Sequence, residues 1–89
     1  MKAVITVVGH DSQGIIAKVS TKCSEAGANI TEISQTVLDE YFAMIMVVDL
    51  AEVAMPFTQL VDEFDSLGKT NKLDIRVMHE DIFNSMHRI

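Results

Sequence analysis

Residues 4–16 decide the fold of this chain, and they read Val4-Ile5-Thr6-Val7-Val8-Gly9-His10-Asp11-Ser12-Gln13-Gly14-Ile15-Ile16. The Val and Ile run predicts a buried strand, the polar residues predict a short loop, and Ile15 begins a helical pattern. Such a loop gathers backbone N–H groups and the positive end of a helix dipole around one small space, which suits a small carboxylate. We expect Asp11 or Ser12 to cap the helix. Gly14 is expected to let the backbone approach a neighbouring group closely.

The chain is short, apolar and acidic. Its 89 residues suffice for one domain, and the 48% of apolar residues predict a packed core. A domain of this size buries its surface incompletely, so we expect at least a homodimer. The formal net charge of −6 disfavours nucleic acid and anionic membranes as partners, because both repel an acidic surface.

Several absences in the sequence predict a cytoplasmic protein. A single cysteine, Cys23, excludes an intramolecular disulfide and fits a reducing compartment. Met1 and Lys2 lead directly into the first strand without the pattern of a signal peptide. The longest apolar run is too short to span a bilayer, so no membrane association is predicted.

Apolar periodicity and turn residues divide the chain into alternating strands and helices. The polar residues within the second strand indicate an edge position or a bulge. Gly27 and Gly68 are expected to end the two helices. The predicted elements are a strand at 2–9, a helix from Ile15, strands at 29–38 and 41–50, a helix from Pro56, a strand around 73–77 and a helical tail at 79–89.

This order predicts an α+β protein with the ferredoxin-like βαββαβ plan. Two right-handed strand–helix–strand units form a four-stranded antiparallel sheet with both helices on one face. We assign residues 1–79 to the domain and 80–89 to a short C-terminal helical tail. The strand at 41–50 is apolar on both sides, so we expect its side opposite the helices to meet another protein surface.

The segment from Gly9 to Ile16, followed after one helix by Gly27-Ala28-Asn29-Ile30, resembles the ACT domain, a regulatory amino-acid-binding module of metabolic enzymes. The resemblance covers about residues 2–79. It continues through Ile33-Ser34-Gln35-Thr36 and Tyr41-Phe42-Ala43-Met44-Ile45-Met46-Val47-Val48. These stretches look closest to stand-alone single-ACT proteins, and they also resemble the ACT units of glycine-cleavage-system repressors and of formyltetrahydrofolate deformylase. It implies a homo-oligomer with an amino acid bound between subunits, acting on a metabolic enzyme or regulator. The ligand-binding residues implied by position are Asp11, Ser12, Gln13, Gly14, Ile15, Asn29 and Ile30.

Each implied residue type suits an amino acid. Backbone N–H groups at residues 13–15 would hold a carboxylate, Asp11 would meet an ammonium group, and Asn29 offers both a donor and an acceptor. Many ACT domains have an Arg-Pro pair before the glycine, where this chain has Ser12-Gln13. Because proline fixes φ, its absence predicts a more mobile loop and weaker binding.

Other functions are less favoured by the sequence. His10 and Asp11 lack a nucleophile other than Ser12, so we predict a protein that is not an enzyme and uses no cofactor. The residues His79, Glu80, Asp81 and His87 match no zinc spacing, so no metal site is predicted. RNA-binding ferredoxin-like domains stack bases on exposed sheet aromatics, whereas this chain has 6% aromatic residues. The alternative that stays open is a pure protein-interaction domain with a vestigial pocket.

Overall fold

The computed structural model describes residues 1–10 and 14–86, and its elements follow the predicted order. The α+β, ferredoxin-like βαββαβ plan is confirmed, with an additional short helix after the last strand. The elements are β1 (Lys2–Gly9), α1 (Ile15–Ala26), β2 (Asn29–Leu38), β3 (Tyr41–Asp49), α2 (Phe57–Asn71), β4 (Asp74–His79) and α3 (Glu80–Met86).

The four strands form one antiparallel sheet in the order β2-β3-β1-β4. Strand β1 is central, as its apolar composition predicts, and Ile5 pairs with Met46 on β3 and with Val77 on β4. Strand β2 lies at an edge, pairing within the sheet with β3 alone. The sheet therefore leaves the outer side of β2, a ten-residue strand, without a neighbour in the described part of the chain.

Strand β2 also contains a bulge, as its polar residues predict. Ile30 pairs with Val48 and Glu32 pairs with Val47, so Thr31 is the extra residue. The hydroxyl of Thr31 donates a hydrogen bond of 3.1 Å to the carbonyl oxygen of Val47. This side-chain bond supplies a partner at the point where the strand ladder is interrupted.

The core lies between the sheet and one layer of two helices. Alternate residues of the central strands face this layer, because successive side chains in a strand point to opposite sides. The helices contribute stripes at helical spacing. The largest of the fully buried side chains in this core are Ile5, Val7, Met44, Met46, Val48, Val19, Cys23, Leu60 and Phe64.

Gly27 ends α1 as predicted, with φ of 84° and its N–H donating to the Ser24 carbonyl oxygen. The predicted end of α2 at Gly68 is wrong, because that helix continues to Asn71 and Lys72 adopts the left-handed conformation that closes it. Gly68 is buried inside the helix, where a Cβ would lie 2.7 Å from the Leu73 carbonyl oxygen. Its missing side chain therefore permits the close approach of α2 to the chain entering β4.

The sheet side opposite α1 and α2 is called the open face here. Val4 lies on this side, outside the main core cluster, yet it is only 3% exposed. Helix α3 packs against β1 and β4, so it covers this part of the open face. The predicted helical tail is thus confirmed over Glu80–Met86, whereas residues 87–89 lie outside the described residues.

Candidate functional site

The predicted site begins where β1 ends and α1 starts. Asp11, Ser12 and Gln13 lie outside the described residues. The N-cap of α1 is Gly14, with φ of 74°. The prediction that Asp11 or Ser12 caps this helix is therefore wrong. No described atom lies within 4 Å of where a Cβ on Gly14 would be. The expected close contact is therefore absent among the described residues, and the left-handed conformation is what requires glycine.

The first turn of α1 leaves backbone donors without intrahelical partners. The Lys18 N–H donates to the Gly14 carbonyl oxygen at 3.0 Å, which is the first bond of the helix. The preceding N–H groups, including that of Ile15, have no acceptor within an α-helix. The Ile15 side chain itself is buried in the core, so this residue offers the site only its backbone. The arrangement has the chemistry of an anion-binding helix start.

Asn29 and Ile30 lie at the opposite end of the sheet from this loop. Gly9, the last residue of β1, is level with Phe42 and with Val37, near the end of β2. Asn29 is level with Asp49 and Lys2, at the other end. The strand rise puts these ends roughly 25 Å apart. The structure therefore does not bring Asn29 and Ile30 together with Gly14 and Ile15 within one chain.

A ring contact that sequence reasoning missed lies beside the loop. The His10 and Tyr41 ring centroids are 4.7 Å apart with a tilt of 47°. Tyr41 starts β3, and the preceding Asp39 has φ of 57° in the tight turn after β2. These residues are distant in sequence, and only the strand register, which aligns Gly9 with Phe42, reveals that they are neighbours.

The other candidate residues have structural roles. His79 accepts a hydrogen bond at Nδ1 from the Asp81 N–H at 3.1 Å, at the start of α3. Within residues 1–10 and 14–86, no three metal-ligating side chains form a cluster, and His87 lies outside these ranges. Cys23 is 1% exposed, and burial raises its thiol pKa to about 11, so this thiol is unsuited to redox chemistry.

No helix within the part of the chain that the structure describes has the length and apolarity needed to cross a membrane.

Comparisons with known proteins identify the family. The model of the ACT domain matches residues 2–78. A UPF0237 protein of Clostridium perfringens is 52% identical over 89 residues, which are the whole of both chains. The solved ACT domain protein from Streptococcus pneumoniae is 49% identical, with a TM-score of 0.84 and 98% of each chain covered.

A putative glycine cleavage system transcriptional repressor is 17% identical, with a TM-score of 0.76 over 85% of this chain and 44% of the solved one. At that identity the likeness shows the fold alone. The family model and the relatives that match end to end carry the assignment. This chain belongs to the ACT domain family.

Proposed function

We propose that this chain is a regulatory module that binds an amino acid or a related small carboxylate between two copies of itself. ACT domains are small regulatory ligand-binding modules, and this one is proposed to act without catalysis, in the cytoplasm, on a metabolic enzyme or regulator. The ligand would contact Asp11, Ser12, Gln13, Gly14 and Ile15 of one copy. It would contact Asn29 and Ile30 of the other.

The start of α1 is the single observation that carries this proposal. No atom of the described residues lies within 4 Å of where a Cβ on Gly14 would be, and the first-turn N–H groups have no intrahelical acceptor. A ligand carboxylate would satisfy those donors and meet the positive end of the helix dipole. The His10 and Tyr41 rings, beside the same loop, would add an apolar wall.

The separation of Asn29 from the loop supports a site that is shared between copies. Strand β2 is an edge strand whose residues from Thr31 to Leu38 are all exposed. Such an edge offers unpaired N–H and C=O groups to another strand. Pairing of β2 with a second β2 buries this edge on both copies at once, as a two-fold interface requires.

Antiparallel pairing of two β2 strands reverses the second copy relative to the first. The start of the second β2, with its Asn29, then lies beside the end of the first β2, near Leu38. That end is level with Gly9 of the first copy, the residue at which β1 ends. The symmetry that covers the edge thus brings together the two groups of residues that one chain keeps apart, and it creates two equal sites.

Calorimetry against a panel of amino acids tests the proposed binding. We expect heat and a rise in melting temperature with at least one amino acid at millimolar concentration, because a ligand that binds the folded state stabilises it. No heat and no thermal shift with any member of the panel would contradict ligand binding and leave the interaction-domain alternative.

Mixing two inactive variants tests whether the site is shared. Gly14→Asn introduces a residue that tolerates positive φ and adds a side chain at the helix start. Asn29→Ala removes the side-chain amide that the other copy would supply to the site. Each variant alone should lose binding. An equal mixture should recover about a quarter of the sites, because half of the dimers are mixed and each mixed dimer has one intact site. Recovery of none would place the site within one chain. Asn84→Ala, on the exposed side of α3, is the matched control.

A second function, protein interaction without a ligand, is favoured by the exposed apolar side chains, which include Ile33, Val37 and Leu38 on β2. The Gly14→Asn variant separates the two functions. Loss of the ligand response with unchanged self-association supports the sensor. The interaction domain is supported if the wild type shows no ligand response and the variant binds every cellular partner as the wild type does.

A further inference from the structure

Strand β4 is the second edge of the sheet, on the opposite side from β2. It pairs within the sheet with β1 alone, so the N–H and C=O groups on its outer side have no strand partner in the described part of the chain. Helix α2 packs on β4 from one side of the sheet, and α3 packs on it from the open face. Because β2 and β4 are opposite edges, the β4 edge is still free when two copies pair through β2.

A groove runs between the β4 edge and α2, with a volume of about 460 Å³. Its lining residues come from both elements and are Val61, Asp62, Asp65, Ile75, Arg76 and Val77. Ile75 is buried and Val77 packs against the core, so both lie on the helix side of the strand, and Val61 is half-buried beside them. The groove thus combines an unpaired strand edge with an apolar strip of a helix. An extended peptide that adds to a sheet uses the same two features.

The α2 side of this groove is acidic. Asp62 and Asp65 are three residues apart and therefore lie on the same side of α2. The Asp62 carboxylate has no ion-pair partner among the described residues. Asp65 contacts Lys69 at 3.0 Å, but both side chains are mostly exposed and such pairs are weak. Arg76 contacts Asp74 at 3.4 Å and does not pair with the α2 carboxylates. A cation that enters the groove therefore meets two carboxylates.

We propose that this groove binds an extended, basic segment of a partner protein, which adds to β4 as a fifth strand. Backbone groups of the segment pair with the free edge, and alternate side chains enter the groove. A lysine or arginine there lays its methylene chain over Val61 and brings its charge to Asp62 and Asp65. The groove gives the chain a surface for a partner protein, on the edge that the shared ligand site does not use, and it does not depend on a bound amino acid.

A second copy of this chain is a poor occupant of the groove. Two β4 edges that pair antiparallel about a two-fold axis place both α2 helices on one side of the joined sheet. Asp62 and Asp65 of one copy then face the same carboxylates of the other across the seam, and like charges oppose the contact. The net charge of −6 adds to this repulsion. A basic segment removes the repulsion and also supplies backbone partners to the strand edge.

Fluorescence anisotropy with a labelled synthetic peptide tests the charge contact. The probe is a seven-residue peptide in which lysine alternates with valine, and its control has glutamate in place of each lysine. We expect only the lysine peptide to bind. Asp62→Asn combined with Asp65→Asn should weaken its binding by about tenfold, because two ion pairs are lost.

A second double variant is the matched control for net charge. Glu25→Gln combined with Glu52→Gln also removes two exposed carboxylates, which do not line the groove. It should change the affinity by less than about twofold, because charges that are far from the site are screened. Equal weakening in the two double variants would overturn the proposal. So would a lysine peptide that fails to bind at concentrations up to about 1 mM.

Backbone methylation of the probe tests strand addition itself. Successive residues of a strand direct their N–H groups to opposite edges, so only one alternate set of amides faces β4. One isomer of the peptide is N-methylated at its lysines and the other at its valines. We expect one isomer to bind at least tenfold more weakly than the other, because the methyl group removes the donors that the ladder needs. Equal affinities of the two isomers would overturn strand addition.

Two further measurements separate this groove from the other proposed surfaces. Asp62→Asn with Asp65→Asn should retain the response to amino acids, because these residues are not part of the shared site. Peptide binding by a chain without any amino-acid response would contradict only the proposed ligand site. Light scattering should show the same number of copies in the assembly with and without the peptide. Release of single chains by the peptide would show that a second copy occupies the β4 edge, and it would overturn the proposal.

Discussion

Gly14 shows how one residue sets the geometry of the candidate site. Its φ of 74° is strained for most residues with a side chain, while no atom of residues 1–10 or 14–86 would crowd a Cβ at this position. Space and conformation therefore have separable effects at this position. A residue that tolerates the left-handed region adds atoms to the site without disturbing the helix, and one that does not weakens the start of α1.

The first prediction compares two substitutions at this glycine. Gly14→Ala should destabilise the fold by about 1–2 kcal/mol, because the left-handed conformation is costly for L-residues. Gly14→Asn should cost clearly less, since asparagine visits that conformation routinely. Urea denaturation of both variants measures the difference. Equal stability of the Ala variant and the wild type would show that Gly14 has a different conformation.

Cys23 gives a prediction for the dependence of stability on pH. Burial raises the pKa of the folded thiol from 9.0 to about 11, so the folded state favours the neutral thiol. The stability that this neutral thiol provides is complete below pH 9 and is lost as the pH rises through 11. In that range the thiol of the unfolded chain loses its proton more readily than the thiol of the folded chain. The free energy of unfolding of the wild type should fall more steeply between these values than that of Cys23→Ala. Parallel curves would contradict the prediction.

At the scale of elements, the sequence predicted the order, the strand positions and the edge character of β2, because alternation and turn residues are local signals. The end of α2 was mispredicted for a physical reason. A glycine near the end of a helical stripe has two explanations, a left-handed cap or a close packing contact. At Gly68 the explanation is decided by the position of the Leu73 carbonyl oxygen beside the helix. A local sequence pattern does not reveal this position.

The third prediction concerns this packing contact. Alanine for glycine inside a helix usually stabilises it by about 1 kcal/mol. Gly68→Ala should instead destabilise the chain by about 1–3 kcal/mol, because its Cβ would meet the Leu73 carbonyl oxygen at 2.7 Å and backbone cannot move aside as a side chain does. Ser66→Ala, exposed on the same helix, is the control and should be neutral or slightly stabilising. Thermal denaturation compares the two.

At the scale of the whole molecule, the chain exposes more surface than a compact monomer of its mass. The solvent-accessible surface is 5773 Å². The usual scaling for 9.9 kDa gives roughly 5,200 Å². The difference agrees with β2, a long edge strand whose residues are exposed on both sides, and with exposed apolar side chains of the open face such as Ile45.

The fourth prediction tests the edge strand. Ile33→Lys should weaken self-association, because charged lysines on an edge oppose strand addition. The unfolding free energy of the dilute protein should change by less than about 0.5 kcal/mol, since Ile33 is exposed. Thr58→Lys, exposed on α2, is the control for the added charge. Sedimentation over a concentration series measures the effect, and identical behaviour of the two variants would exclude the β2 edge from the assembly.

The residues of the candidate site each carry a signal in the sequence, whereas their arrangement in space does not. The loop and Asn29 each carry a sequence signal, yet their separation follows from the pairing of Gly9 with Phe42 and of Asn29 with Asp49. The contact of His10 with Tyr41 has the same origin. Periodicity predicts which side of a strand faces the core. It does not predict which ends of distant strands are level with each other.

The bulge in β2 has a consequence for how the chain tolerates change in length. Thr31 is the residue without a counterpart on β3, so Ile30 and Ile33 both lie on the helix side although they are three positions apart. Deleting Thr31 leaves the orientation of every other β2 side chain as it is. Deleting Ser34 turns the side chains on one side of the deletion to the opposite face of the sheet, because side chains alternate along a strand. Length variation within β2 should therefore be confined to a single position.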